Sequence, residues 1–377
     1  MAYILKNKDI PLLKFEVISN LRDPVVAITW ADVQKTDRLP LDLEQGNEGL
    51  VKWLKNRTIP RNRAFVDAFL AKCGLSINRP MDIISVSKGL SLNDCFWVVP
   101  EAFTGTFDAY NLYDNRFNTV LSCLAFTGVG SKNRTSLQSC PEFTTNGMLP
   151  KCWRRVGGKV VLFKGATSGA ANTGNEPYSE YYAAQVAEKM GIRHVDYSLG
   201  KWKGTVCSKC ELFTSKKYSF IPVHKFVPSG RFSDVVAFYQ ELGEPFYNAL
   251  VDMIVFDAVI CNTDRHYGNF GFMIDNDTNQ IAEPAPLFDH GNSLFNLAGA
   301  ACWVDSKELE EYSSALLPAV YDDFFGTAKT LMQDRHHEML RHLLTFELVP
   351  HNVHNLKAKR RKMISSQIQK RARTLLE

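Results

Sequence analysis

Two stretches past the middle of the chain decide how the rest is read: Asn262-Thr-Asp264-Arg-His266-Tyr-Gly-Asn269 and Leu287-Phe-Asp289-His-Gly291. Each sets a carboxylate in a polar loop beside further oxygen and nitrogen donors. Between them lie the apolar step Phe270-Gly-Phe-Met-Ile274, a turn at Asp275 to Asn279 and a second apolar step ending at Phe288, a pattern that predicts a hairpin. Asn, Asp and His are common in loops for a plain reason, since they bond to their own backbone and tolerate left-handed conformations. Either stretch alone carries little more than that. Loop, hairpin and loop in this order, behind a long apolar helix, make Asp264, Asn269 and Asp289 candidates for a reaction centre.

The chemistry these residue types suit is phosphoryl transfer from ATP. It needs a carboxylate to orient the attacking hydroxyl and hard oxygen ligands to hold Mg2+ on the phosphates. Asp264 fits the first duty, Asn269 and Asp289 the second. The spacing from aspartate to asparagine equals that of the catalytic loop H-R-D-x-x-x-x-N, and Asp289-His-Gly291 stands where D-F-G follows that loop. His266 either braces the loop that carries Asp264 or touches phosphate directly. A cation for the phosphates is offered by Lys164, which ends Lys159-Val-Val-Leu-Phe-Lys164 as the lysine ends V-A-I-K. The helix that follows carries Glu180, the partner type that fixes such a lysine, with Glu176 and Glu188 as rivals. Upstream, Ser139 to Gly147 includes Thr144 and Thr145 and offers backbone amides to phosphates, although an ordinary surface loop has the same composition.

Outward from these motifs, the first segment to about Arg79 mixes short apolar stretches such as Phe15-Glu-Val-Ile18 with a helix predicted from Arg63 to Cys73. A Ser/Thr/Asn/Gly-rich loop at 131–147 feeds the strand ending at Lys164. A second glycine-rich loop leads into Glu176-Pro177, which opens a helix from Tyr178 to Met190 that Gly191 ends. Tyr218 to Phe226 reads as a strand, Phe232 to Leu242 and Pro245 to Ile260 as helices, and the remainder from about Asp305 as mostly helical. The sum is an α+β chain of two lobes, a strand-rich N-terminal lobe and a mostly helical C-terminal lobe, as in a bilobal protein-kinase-like fold. The division expected is an accessory region over 1–125, an N-lobe over 126–227 with the phosphate loop, lysine and hinge strand, and a helical C-lobe over 228–377.

With 377 residues, 45% of them hydrophobic, the chain can bury a sizeable core. No apolar run reaches the roughly 20 residues that cross a bilayer, and the start has no apolar leader core, so a cytoplasmic place without membrane contact is the expectation. Nine scattered cysteines suit reduced thiols, and Cys207-Ser-Lys-Cys210 is half a zinc ribbon without its other half. A net charge of +4 argues against an extended nucleic-acid groove. The basic run Lys357, Lys359, Arg360, Arg361, Lys362, Lys370, Arg371, Arg373 reads as a terminal helix with a solvated face, an acidic partner or nucleic acid being the rival reading.

On the motifs quoted, with Asn175-Glu-Pro-Tyr-Ser-Glu180 opening a helix that stops at Met190-Gly-Ile192, the chain resembles the HipA-type serine/threonine kinases, relatives of the protein-kinase and phosphatidylinositol-kinase fold. The resemblance covers about Ser139 to Phe295. It implies an ATP- and Mg2+-dependent transfer to a protein hydroxyl, with Asp264 catalytic, Asn269 and Asp289 binding magnesium, Lys164 binding phosphates, and Val223-His-Lys225-Phe226 similar to the hinge that holds adenine. It further implies phosphorylation of a serine in the chain's own loop, Ser136 and Ser139 standing nearest, and a small antitoxin-like DNA-binding partner. Two other readings use the same residues: a non-catalytic nucleotide-binding regulator, which has no need of Asp264, and a small-molecule or lipid kinase, which the Asp264-Arg-His266 element also suits.

Overall fold

Residues alternate between buried and half-exposed along Ala2–Asn7, so one face of this strand enters a core while the other stays near solvent. In the computed structural model, which describes residues 1–130 and 139–377, that strand lies inside a four-stranded sheet. The order is Val25–Ala31, Ile10–Ser19, Ala2–Asn7, Phe96–Pro100, and every pairing is antiparallel. Leu5, Leu13, Phe15 and Val26 from the sheet pack on Leu50, Trp53 and Leu54 of the helix Gly46–Asn56 and on Met81 and Ile84 of Pro80–Ser87. At roughly 1.5–3 kcal/mol for each large apolar side chain, this cluster is ample to fix the sheet.

The sheet belongs to the first of two compact units, made of Met1–Lys164, Leu212–Ile221 and Met273–Ala282. The predicted strand Lys159–Lys164 is present, and its partner is one the sequence reading passed over, Lys151–Val156. Gly157 and Gly158 join them, both at positive φ, which is the backbone a two-residue hairpin loop demands. The predicted helix Arg63 to Cys73 starts later, at Val66. Phe65 takes a left-handed φ of 61°, and Arg63 turns inward to donate to the carbonyls of Glu142, Thr145 and Lys151. The strand predicted from Tyr218 to Phe226 stops at Pro222, where Val223–Lys225 forms a 3-10 turn. The hairpin between the two motifs has strands Gly271–Asp275 and Gln280–Pro284, with Tyr218–Pro222 completing a three-stranded sheet. Its second strand ends at Pro284, short of Phe288, because a proline cannot donate to the ladder.

The second unit comprises Gly165–Glu211, Pro222–Phe272 and Glu283–Glu377. Its helix Glu176–Met190 starts on Pro177 and ends at Gly191, whose φ of 71° would cost another residue about 1 kcal/mol. The helix Glu244–Ile260 is mostly apolar and, from Leu250 onward, buried at every position but Asp252, the pattern of a central helix. Around it lie Phe232–Glu241, Ser306–Ala315, Phe324–Leu331, Asp334–Arg341 and Ala358–Leu376. The last of these departs from the solvated basic helix the sequence suggested. Ile364, Ile368, Ala372 and Leu375 line a buried face, and Arg371 joins them with 4% exposure. Its guanidinium donates to the Ala258 carbonyl (2.6 Å) and to Ser313 (2.8 Å). Among the described residues no helix is long and apolar enough to cross a membrane. The architecture is α+β, a strand-rich first unit and a mostly helical second.

Candidate active site

The site begins where the central helix ends. Cys261 takes left-handed angles, and its N–H caps the Asp257 carbonyl, so the chain reverses and delivers Asn262 to Asn269 as a loop. Asn262 is buried and works in both directions. Its amide donates to the Asp257 carboxylate (3.1 Å) and accepts from the Asp264 N–H (3.1 Å), a local bond that fixes the turn before the aspartate. Further along, His266 N–H donates to the Asp264 carbonyl and Asn269 N–H to that of His266. The Asn269 side chain donates through Nδ2 to the Asp264 carbonyl (3.2 Å), which leaves its Oδ1 as the end open to a ligand. His266 braces the same turn, its Nδ1 accepting from Gly268 N–H (3.0 Å). Of the two roles open to His266, this contact is the loop-backbone one.

Asp264 is held by a residue that sequence reading did not single out: Asn292 donates from Nδ2 to Oδ2 of Asp264 (2.9 Å). Asn292 also receives the other side of the loop through its backbone, since Thr263 donates to its carbonyl from both N–H (3.0 Å) and hydroxyl (3.2 Å). The aspartate's carboxylate is therefore anchored from the Asp289 loop, and its backbone from its own loop.

Arg265 ties these loops to the helix. It is 0% exposed, as is Asp257, and grips that carboxylate with two bonds of 2.8 and 3.1 Å. Its remaining donors reach the carbonyls of Asn269 (3.2 Å) and Phe288 (2.6 Å) and Nδ1 of His290 (2.9 Å). Because an arginine only donates, His290 must accept at Nδ1 and carry its proton on Nε2. Burial works against the charged guanidinium, and the Asp257 carboxylate more than offsets this, holding Arg265 above its ordinary value. Two sequence signals pointed here: a carboxylate inside an otherwise apolar helical run, and an arginine beside the candidate catalytic aspartate.

The second motif is a strained loop. Asp289, Leu294 and Phe295 all adopt positive φ, costs of order 1 kcal/mol or more each for residues other than glycine. External contacts keep the chain there. Asp289 N–H donates to the Tyr197 hydroxyl (3.1 Å), and His290 N–H donates to Oε2 of Glu180 (2.8 Å), which is fully buried. Burial, then the nearby Glu180, drive the Tyr197 phenol well above its usual range, so it stays neutral.

The second unit thus brings together Asp264, His266, Asn269, Asp289 and Glu180. The turn carrying Lys225 and Phe226 lies in the same unit and is bound to the loop: Val223 N–H donates to the Phe270 carbonyl and His224 N–H to that of Tyr267. Phe226 packs on Phe238 and Phe272. Lys164, Thr144 and Thr145 belong to the first unit. Lys164 ends its strand with 7% exposure. The hydroxyls of Thr144 and Thr145 bond to the carbonyls of Leu90 and Pro141, and Trp153 donates to Thr145. Ser139 bonds the Ser87 carbonyl, and Ser136 lies outside the described residues. In chemical terms, Asn269 Oδ1 and the Asp289 carboxylate are hard oxygen donors, the set that suits a small divalent cation such as magnesium.

No protein-family model matches the chain. A curated relative, serine/threonine-protein kinase CtkA of Helicobacter pylori, is 28% identical over 137 residues, 32% of this chain and 41% of that protein. The matched part is thus less than half of the relative's length. The crystal structure of the H. pylori proinflammatory kinase CtkA superimposes with a TM-score of 0.50 and 17% identity, covering 62% of this chain and 92% of the other. HipA from Shewanella oneidensis MR-1, solved with HipB and operator DNA, gives a TM-score of 0.52 at 11% identity over 98% of this chain and 96% of HipA. The structural likenesses show that the chain has the fold of the HipA and CtkA kinases, and the CtkA sequence match adds a similarity to that serine/threonine-protein kinase over about a third of the chain.

Proposed function

We propose that the chain is an ATP- and Mg2+-dependent protein kinase that moves the γ-phosphoryl group of ATP onto a protein serine or threonine hydroxyl. The observation that carries this reading is the fixing of Asp264: its carboxylate by Asn292, its N–H by Asn262 and its carbonyl by Asn269. A nucleotide-binding module has no use for an oriented carboxylate at that point, whereas transfer to a hydroxyl requires one. When bound, magnesium would neutralise developing charge on the transferring phosphoryl group. Asn269 and Asp289 would hold it, Lys164 would bind phosphate oxygens, and Lys225 and Phe226 would line the adenine side. Asp264 would accept a hydrogen bond from the acceptor hydroxyl and aim its oxygen. His266 would keep the turn in shape, and Glu180 would keep the Asp289 loop in place. Thr145 would serve through its backbone amide, its hydroxyl being engaged elsewhere, and Thr144, whose N–H and hydroxyl bond the Pro141 and Leu90 carbonyls, would hold that loop in shape. Residues 1–125 would act as an accessory region to 126–227 and 228–377, and Ser136 or Ser139 would be the acceptor in self-phosphorylation. HipB stands beside HipA in the solved complex, and an antitoxin-like DNA-binding partner in the cytoplasm is the corresponding proposal here.

Two substitutions test the reading against simple nucleotide binding. Asp264→Asn keeps shape and ligands, so Mg-ATP binding should persist while transfer falls by roughly 10²- to 10⁴-fold. Asp289→Asn removes a charge from the metal shell, so magnesium-dependent ATP binding and transfer should fall together. A wild-type chain that binds Mg-ATP yet labels neither itself nor any protein in a mixture refutes the proposal.

A further inference from the structure

The hydrogen bonds that hold Asp264 do not end at Asn292. Asn292 Oδ1 accepts from Nδ2 of Asn296 (3.1 Å), which is 5% exposed. The Asn296 carbonyl in turn accepts from Nδ2 of Asn175 (2.8 Å), the residue that precedes the helix Glu176–Met190, and from Arg360 (3.4 Å). Arg360 also donates to Oδ1 of Asn175 (3.1 Å). Four side chains from three separated parts of the sequence therefore run from the C-terminal helix Ala358–Leu376 to Oδ2 of Asp264.

Arg360 is an odd choice if packing is its only duty. Its guanidinium lies 4.0 Å from the Trp303 ring centroid, and its Nε is buried without a partner. Among the described residues its partners are an amide oxygen, a carbonyl and an indole face, with no carboxylate. Burial alone lowers its pKa to about 10. An uncompensated, largely buried cation is a standing cost that an apolar residue would avoid. What the guanidinium supplies is a rigid fork that reaches Asn175 and Asn296 at once. The segment it restrains needs restraint, because Leu294 and Phe295, directly before Asn296, are both left-handed.

We infer that Arg360 is a positioning residue for phosphoryl transfer, setting the orientation of Asp264 through Asn296 and Asn292, with Asn175 as its brace. The inference rests on the role given to Asp264 above. It makes the C-terminal helix part of the reaction apparatus, at a distance from the phosphates.

The test uses the full chain with Mg-ATP, measuring transfer to itself and to dephosphorylated casein alongside nucleotide affinity. Arg360→Gln should lower kcat by roughly 2- to 30-fold, the range of coupling through such networks, and leave KM for ATP within about twofold. Arg360→Lys, which keeps the charge on a single donor nitrogen but loses the planar fork, should recover part of the loss. Asn296→Ala, which leaves Arg360 and its ring contact in place, should reproduce the kcat defect if Arg360→Gln fails to fold. The decisive measurement is in an Asp264→Asn background, where neither substitution should reduce residual transfer further. An equal loss in that background, a raised KM with unchanged kcat, or wild-type rates in Arg360→Gln and Asn296→Ala would overturn the inference while leaving the kinase reading intact. Absence of transfer by the wild type would instead remove the kinase reading, and this inference with it.

Discussion

Replacing Arg265 separates stability from catalysis in a way few other substitutions here would. Arg265→Ala removes five hydrogen bonds, two to Asp257 and one each to Asn269, Phe288 and His290. Asp257 is then left as a buried carboxylate with only Asn262 beside it, because both partners of the pair are 0% exposed. Breaking a buried pair from one side costs about 3–5 kcal/mol. At about 2–4 °C per kcal/mol for a unit of this size, the thermal midpoint of the second unit should drop by roughly 6–20 °C. The double variant Asp257→Leu, Arg265→Met removes both charges and should regain most of that stability, since apolar replacements of buried pairs are often neutral. It should not regain transfer, because the carbonyls of Asn269 and Phe288 lose their common donor. Thermal unfolding by circular dichroism, paired with Mg-ATP transfer, reads both quantities. A loss below about 1 kcal/mol in Arg265→Ala, or recovery of transfer together with stability in the double variant, would refute the reasoning.

Lys164→Ala should leave the fold intact and weaken nucleotide binding or transfer severely, and an unchanged ATP titration with unchanged activity would remove the lysine from the site. Glu180→Gln still accepts from His290 N–H and should be mild, whereas Glu180→Ala strands that buried donor at about 1–3 kcal/mol, which urea unfolding will measure. At Gly268 an added Cβ would come 2.7 Å from the His266 ring, so Gly268→Ala should displace His266 and lower kcat with little change in unfolding midpoint. Truncation after Leu356 removes Ile364, Ile368 and Leu375, about 1.5–3 kcal/mol each of burial, and should abolish cooperative unfolding of the second unit. A truncated chain that folds would show the terminal helix to be peripheral after all.

The elements that could be read in advance were those whose signal is local. Pro177 and Gly191 bracket a helix by backbone chemistry alone, and the four-residue spacing of Leu250, Ile254 and Ala258 needs no partner to be seen. The spacing of Asp264, Asn269 and Asp289 was likewise visible as a pattern. What escaped was set by partners distant in sequence. Arg371 looks like any solvated arginine until the Ala258 carbonyl and Ser313 are placed against it, 113 and 58 residues away. Asn292 is a plain loop residue until it is found on Asp264, and Arg63 lies in a helical pattern until three carbonyls draw it inward. The strand Lys151–Val156 had its signal, the Gly157-Gly158 pair, which was outweighed by the polar run just before it.

Cys261 ends the central helix in a left-handed turn, and four residues later Arg265 reaches back to the same helix at Asp257. Opening either loop alone would leave part of that guanidinium buried and unmet, so fluctuations that release the Asn269 and Phe288 carbonyls must occur as one event. Amide protons of the two motifs should then exchange with solvent at matched rates and share one opening free energy with the C-terminal half of Glu244–Ile260. The two motif loops should then open as an extension of the helix behind them, and a ligand that orders one of them should order both.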